Sequence, residues 1–181
     1  MLLRRTLRNK TAADKLLQAY PGRLLPGATL KQSSWAPEED TTKPVVIKLE
    51  MDASRAIQTE EDHFRFPLPL TAEMGTSTGL EHRETPLRLG IPEEWSATVV
   101  VSLPAGFAFL HTPGDFSITH PCFSAQGHAK VTGTTGTFSY ALRRTCTEIA
   151  TEDYVAFRDR VRDTAAKLRD AISFAPKKPR R

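Results

Sequence analysis

Two histidines and a cysteine near the middle of the chain come closest to the composition of a reactive site. His120, Cys122 and His128 lie within nine consecutive positions. A thiol beside an imidazole base can act as a nucleophile, and the same three groups are metal ligands. A nucleophilic cysteine also needs an activating site such as a helix N-terminus, but Cys122 follows Pro121 in a predicted strand-and-turn region. We therefore expect neither catalysis nor metal binding from this cluster.

The acidic clusters give no stronger signal for catalysis. They lie at Glu38 and Glu39 and at residues 60–62. Two carboxylates across a cleft can perform glycosidase acid–base chemistry, whereas neighbouring carboxylates in a polar loop usually only solubilise a surface. The chain contains no HExxH, GxGxxG or GxxxxGKS/T motif, which are common metal and nucleotide fingerprints. The sequence predicts a protein that is not an enzyme, with no catalytic residue, cofactor or metal.

Aromatic and basic residues alternate in two places. Arg65 lies between Phe64 and Phe66, and residues 140–144 combine a tyrosine with two arginines. Such alternation can form a stacking platform for single-stranded nucleic acid. The spacing of the apolar residues around position 140 matches one buried strand face instead, so we expect both segments to belong to a core.

Two cysteines, Cys122 and Cys146, occur without a CxxC motif or zinc-site spacing. A disulfide would need their Cα atoms about 6 Å apart, and the sequence does not establish that distance. Two small, unpaired, half-buried residues are the favoured interpretation. The cysteines therefore do not indicate whether the protein lies in an oxidising or a reducing compartment.

The charge is concentrated at the two ends of the chain. Eight of the 25 Lys and Arg residues lie in residues 4–10 and 177–181, so residues 11–176 carry about −4 although the whole chain carries +4. A mildly acidic body is a poor footprint for nucleic acid. The basic ends are typical of solvated tails, and weak binding of nucleic acid or anionic lipid through them is retained as an alternative.

No targeting or membrane segment is predicted. Residues 1–10 lack the apolar stretch of a signal peptide, and no window approaches the roughly 18 to 20 apolar residues of a membrane-spanning helix. The sequence leaves open whether the chain is part of a longer protein, so its location stays unknown from these residues alone.

The last third of the chain carries the clearest structural pattern. Residues 135–146 alternate as a strand, and residues 151–174 show the period of an amphipathic helix that Thr151 would cap. The apolar stripe of that helix comprises Tyr154, Phe157, Val161, Ala165, Leu168 and Ile172. A strand face and a helix stripe each need a partner, so we expect them to bury against a common core.

The remaining chain reads as short strands after one short helix. We expect Thr11 to cap that helix and Pro21 to end it. Strands are predicted at residues 28–35, 43–53, 85–89, 95–103, 107–111, 115–120 and 122–131, with 64–70 as an edge strand or extended crossing because of its prolines. Seven to nine strands at this spacing predict a β-sandwich or a barrel, and we favour the sandwich.

The predicted fold is therefore mainly β, within the α+β class. It is an antiparallel β-sandwich with a docked C-terminal helix and a short N-terminal helix. The predicted divisions are a connector with the short helix at residues 1–22, the sandwich at 23–150, the helix at 151–175 and a disordered basic tail at 176–181.

Three short motifs follow one another along the chain in an order that resembles a known family. They are RETPLRLGIP at residues 83–92, LPAGF at 103–107 after a valine-rich strand, and DYVAFR at 153–158, where the last helix opens. Over residues 23–174 the chain resembles the uncharacterised β-rich domain that follows the transglutaminase-like, papain-like core in many bacterial cell-envelope proteins.

The resemblance implies a role without catalysis. In that family the cysteine, histidine and aspartate of catalysis belong to the preceding core, and this chain has no equivalent of them. The resemblance thus implies an accessory domain of a transglutaminase-like protein, in the same chain or a separate one, in the periplasm or cell envelope.

A second hypothesis is a carbohydrate- or peptide-binding sandwich that uses Trp35, Trp95 or a sheet edge. The sequence leaves the sheet topology, the ligand and the oligomeric state open.

Overall fold

The computed structural model describes residues 6–35, 46–69 and 78–177. The chain is mainly β, with 46% strand and 23% helix, and its sheets are antiparallel, as predicted. The helices are α1 (Lys10–Leu24) and α2 (Tyr154–Leu168). The strands are β1 (Thr29–Trp35), β2 (Ile47–Asp52), β3 (Gln58–Glu60), β4 (His63–Pro67), β5 (Leu87–Arg88), β6 (Glu93–Ser102), β7 (Phe107–His111), β8 (Phe116–His120), β9 (Phe123–Thr132), β10 (Thr135–Arg144), β11 (Glu148–Ile149) and β12 (Ala171–Pro176). The chain divides into two compact units, Met1–Gln58 and Thr59–Arg181.

In the first unit, α1 begins and ends at residues other than those predicted. Asn9 is the N-cap, and its side chain accepts a hydrogen bond from the Ala12 amide at 3.1 Å, so the predicted Thr11 cap is wrong. The predicted stop at Pro21 is also wrong. Pro21 lies in the last turn, where its missing N–H interrupts only one backbone bond, and the Leu25 amide still donates to the Pro21 carbonyl.

The strands β1 and β2 complete the first unit as an antiparallel pair. They confirm the strands predicted at 28–35 and 43–53, except for residues 43–45, which lie outside the described residues. The indole nitrogen of Trp35, at the end of β1, donates to the Leu7 carbonyl at 3.2 Å. This bond anchors the end of the strand to the chain that precedes α1.

The second unit is built from two four-stranded antiparallel sheets. Their strand orders are β6-β10-β9-β8 and β3-β4-β12-β7, and β5 and β11 form a separate short pair. Phe138 and Tyr140 of β10 share one buried cluster with Ile172 of β12 and Leu68. Because residues of both sheets fill this cluster, the two sheets face each other as a sandwich.

Strand β10 confirms the alternation predicted for it. Phe138, Tyr140 and Leu142 are buried, and the residues between them are exposed or half-buried. The strand pairs over its whole length with β6 on one side and β9 on the other. It is therefore the central strand of its sheet, and its apolar face anchors the core.

The prediction for the end of the chain is partly wrong. The helix α2 ends at Leu168, and residues 171–176 form β12 rather than a continuation of the helix. A short apolar run fits either period, and pairing decided here because β12 fills the gap between β4 and β7. The predicted Thr151 cap is also wrong, since Asp153 holds the cap position and the Thr151 hydroxyl donates to Glu152.

The interpretation of residues 64–70 as an edge or crossing is likewise wrong for β4, which lies between β3 and β12. Pro67 is opposite Ala171 at the end of the register. Its missing amide therefore falls at the end of the ladder, where the cost is low. Position 70 lies outside the described residues.

Helix α2 packs on the sheets of the sandwich through a second buried cluster. Tyr154, Phe157 and Val161 are buried in this cluster with Phe123 of β9 and Leu142 of β10. Farther along the helix, half-buried residue 168 packs against the first cluster. The apolar stripe of α2 thus docks on the sheets, as predicted.

Candidate functional site

The two cysteines form a disulfide, which corrects the expectation that they are unpaired. The Cα atoms of Cys122 and Cys146 are 4.9 Å apart. The Thr145 amide donates to the Cys122 carbonyl at 2.9 Å, so the bridge closes the open end of the β9–β10 hairpin. Because both sulfurs are bonded to each other, Cys122 offers no thiolate for attack or metal binding.

His120 lies in an apolar setting beside this bridge. Its Nδ1 accepts the Cys122 amide at 3.1 Å, which leaves the ring proton on Nε2 in the neutral form. The ring stacks on Phe123 at 5.7 Å between centroids and meets Phe157 edge-on at 5.5 Å. Burial lowers the pKa of His120. These contacts give His120 a packing role, and the structure does not bring His128 to it: His128 lies 3.5 Å from Asp115.

The other predicted polar positions are separated from one another. Glu60 and Asp62 both contact His63, at 3.0 and 3.2 Å, in the turn between β3 and β4. Glu38 and Glu39 lie outside the described residues. Within the described residues, no group of three or more His, Cys, Asp or Glu side chains is arranged to hold a metal ion.

The aromatic candidates belong to the packing. Phe64 stacks on Phe174 at 5.5 Å and meets Phe107 at 6.1 Å, so it is part of the core, as expected. Trp95 is half-buried against both clusters, and Trp35 is half-buried with its N–H bonded.

Of the basic ends, only residues 6–10 and Lys177 fall within the described residues, so tail binding stays a prediction. The described part also holds no helix with both the length and the apolar character needed to span a bilayer.

A surface depression of about 610 Å³ remains, and sequence reasoning did not identify it as a site. It is lined by Arg83, Thr85, Pro86, Leu87, Arg88 and Glu148. Leu87 and Arg88 form β5 and pair with Ile149 and Glu148 of β11. The sequence signals for this region are the strand predicted at residues 85–89 and the RETPLRLGIP motif, and neither indicates chemistry.

Side chains from α2 and β10 hold the irregular segment that carries the depression. The Tyr154 hydroxyl donates to the Leu80 carbonyl at 2.9 Å, and Arg158 donates to the Glu81 carbonyl at 2.6 Å. Arg144 donates to the carbonyls of residues 89 and 91. Although residues 78–92 contain little regular structure, both ends of the segment are tied to regular elements.

The two arginines of the depression do not donate hydrogen bonds to the segment at residues 78–92, unlike the arginines of α2 and β10. The Arg83 guanidinium lies over the Tyr154 ring, 5.5 Å from its centroid. Its Nε is shielded from solvent without a hydrogen-bond partner. The Arg88 side chain is 91% exposed, with Nε 3.9 Å from a Glu148 carboxylate oxygen. The depression thus presents two cations whose hydrogen-bonding capacity is almost unused.

Comparisons with known proteins give a fold likeness. No protein-family model matches the chain, and no curated protein matches it significantly. The chain is similar to a crystal structure of a "putative protease" from Parabacteroides distasonis, with a TM-score of 0.55 and 16% identity. The match covers 65% of this chain and 24% of that protein, so this fold is found as about one quarter of a longer protein.

Proposed function

We propose that this protein is a non-catalytic accessory domain that works beside a transglutaminase-like catalytic domain and contacts it through the free edge of β6. Two observations support the association: the order of the three motifs, and the likeness to one quarter of a longer protein described as a protease. The proposed contact is inferred from the position of β6 at the edge of its sheet.

Strand β6 is a long edge strand with few protections. It pairs with β10 over all ten residues in unbroken register, and no other described strand pairs with it. Its sequence contains no lysine and no proline, which are the usual devices that keep edge strands from pairing. Val100 on this strand is 61% exposed. Such an edge favours addition of an extended segment through backbone hydrogen bonds.

The disulfide supports a location outside the cytoplasm. Disulfides persist in oxidising compartments and are rare in the cytosol. The Cys122–Cys146 bridge therefore agrees with the periplasm or cell envelope that the resemblance implies. The catalytic partner would then work in the same compartment.

The proposal is tested by co-expressing the chain with a transglutaminase-like domain from the same organism and isolating the complex. Hydrogen exchange should slow at those β6 amides that point away from β10, because a new strand would bond to them. Failure to form a complex, or protection elsewhere but not at β6, would overturn the proposal.

A matched pair of variants separates the edge from the general surface. Val100 of β6 and Ala141 of the central strand β10 are both exposed, and Ala141 is paired on both sides, with Ser96 and Gln126. We expect Val100→Lys to weaken the complex at least tenfold, because a lysine on an edge strand opposes strand addition. Ala141→Lys should leave it unchanged, and equal effects of both would contradict the edge contact.

A peptide-binding role is the second candidate, since the same edge would accept a free extended peptide. The catalytic domain and a panel of unrelated peptides distinguish the two roles. Protection of β6 by peptides alone, with no complex with the catalytic domain, would favour the second.

A further inference from the structure

We propose that the depression lined by residues 83–88 and Glu148 binds a carboxylate of a polypeptide, with Arg83 as its anchor. This site differs from the β6 edge and does not depend on it. The arginines around the segment at residues 78–92 differ in how their N–H groups are bonded.

Arg83 differs from two neighbouring arginines in its hydrogen bonds. Arg144 and Arg158 both donate to carbonyls of the segment at residues 78–92. For Arg83, no hydrogen bond or ion pair is found with the described residues. Its Nε is buried without a partner, as is the Nε of Arg144, but the two terminal nitrogens of Arg144 are bonded. A guanidinium carries five N–H donors, and leaving a buried donor unsatisfied is costly. An acceptor supplied by a ligand would remove that cost.

The Arg83 guanidinium is also held in place before any ligand arrives. It lies over the ring of Tyr154, which is fully buried at the start of α2. The Tyr154 hydroxyl is fixed by the Leu80 carbonyl. A cation over an aromatic face is attracted by the ring, so the planar group loses little freedom when it meets a carboxylate.

The charges around the depression favour a single negative charge. Arg83 and Arg88 contribute two cations, and Glu148 contributes one anion. The lining is therefore net positive, whereas residues 11–176 as a whole carry about −4. A carboxylate can accept two parallel N–H bonds from one guanidinium. A single carboxylate charge would neutralise the net charge of the lining.

The remaining lining fits a polypeptide. Pro86 and Leu87 supply apolar surface, and Thr85 supplies a hydroxyl. This mixture suits a peptide whose side chains or backbone flank the charged group. The ligand class is thus an acidic side chain or a C-terminal carboxylate.

The experiment follows the arginine Nε–H resonances of the full chain by NMR during titration. Four probes are used: a short neutral peptide with a free C-terminal carboxylate, the same peptide amidated, the amidated peptide with one internal glutamate, and inorganic phosphate. We expect the Arg83 resonance to shift with the first or the third probe, and the arm that shifts identifies the source of the carboxylate. Binding of the uncharged amidated peptide, tighter binding of phosphate, or no binding of either carboxylate probe would overturn the proposal.

Variants assign the binding to Arg83. We expect Arg83→Gln to weaken carboxylate binding at least tenfold, because charged, two-bonded contacts are the strong ones. Arg83→Lys retains the charge over Tyr154 without the fork and should lose most of the affinity while folding normally. The control is Arg143→Gln, which removes an exposed arginine of β10 and should change nothing. Unchanged binding in folded Arg83→Lys and Arg83→Gln, or equal loss in the control, would contradict the assignment.

The two proposals fail separately. The Arg83 variants should leave the complex at the β6 edge intact, and Val100→Lys should leave carboxylate binding intact. If the wild-type protein shows one property and lacks the other, the proposal that predicts the missing property is wrong.

Discussion

The two edges of the sheet β6-β10-β9-β8 are built in opposite ways. The edge strand β8 has five residues and contacts α2, and His120 at its end packs against Phe157 of that helix. The edge strand β6 has ten residues. Among the described residues of the second unit, no strand pairs with its outer side.

The difference indicates a division of roles within one sheet. A covered edge can bury aromatic side chains and lie next to a covalent bridge, so stability concentrates there. An uncovered edge keeps its backbone donors and acceptors available, so it contributes less to stability and more to recognition. Mutations at the two edges should therefore have unequal effects on folding.

The largest effect is expected from removing the helix anchor. Phe157→Ala should lower the free energy of unfolding by about 3–5 kcal/mol, since it leaves a cavity in a buried aromatic cluster. Chemical denaturation measures the change. Val100→Ala on the bare edge is the matched control and should change stability by less than about 0.5 kcal/mol. Comparable losses in the two variants would remove the contrast between the edges.

The next effect comes from the bridge at the open end of the β9–β10 hairpin, next to the end of β8. The double variant Cys122→Ser/Cys146→Ser should lose about 3.5 kcal/mol, because the bridge closes a loop of sequence separation 24 in the unfolded chain. Urea unfolding of the oxidised protein and of the variant gives the difference. Reduction of the wild-type protein should reproduce it, and a reduced protein as stable as the oxidised one would show that the hairpin needs no bridge.

Acidification should weaken the β8 edge through His120. Burial lowers the pKa of His120 in the folded state, so the unfolded state binds its proton first as the pH falls below about 6.5. Stability from this residue is thus fully present above that pH and is lost on acidification. The protonated ring also gives up its Nδ1 acceptor for the Cys122 amide. Unfolding measured at several pH values should show a drop that His120→Gln abolishes.

A smaller effect is expected where α2 holds the irregular segment. Tyr154→Phe removes the hydroxyl that donates to the Leu80 carbonyl and should cost about 1 kcal/mol. Hydrogen exchange should become faster around residues 78–83 and stay unchanged in β6. Faster exchange spread over the whole sheet would mean that the segment and the sheet unfold together.

Several elements were predictable because their signals are local. The alternation of Phe138, Tyr140 and Leu142 predicted a half-buried strand, and the stripe from Tyr154 to Leu168 predicted a docked helix. Both patterns repeat the geometry of a single element.

Other features depended on partners that are distant in sequence. The apolar run of β12 fits either a helix or a strand, and only the gap between β4 and β7 made it a strand. The disulfide had an unused signal: Cys122 and Cys146 flank the turn after β9 almost symmetrically, so pairing of β9 with β10 brings them together. Recognising it required the register of that hairpin.

The candidate site likewise depends partly on local sequence patterns and partly on contacts between distant residues. The sequence by itself determined the mainly β composition, the apolar faces of β10 and α2, and the mildly acidic body. Only the tertiary structure decided that Arg144 and Arg158 use their donors on the segment at residues 78–92 while Arg83 does not. The physical reason is that periodicity records which side of an element is apolar, whereas the partner of a polar group is set by elements that meet in three dimensions.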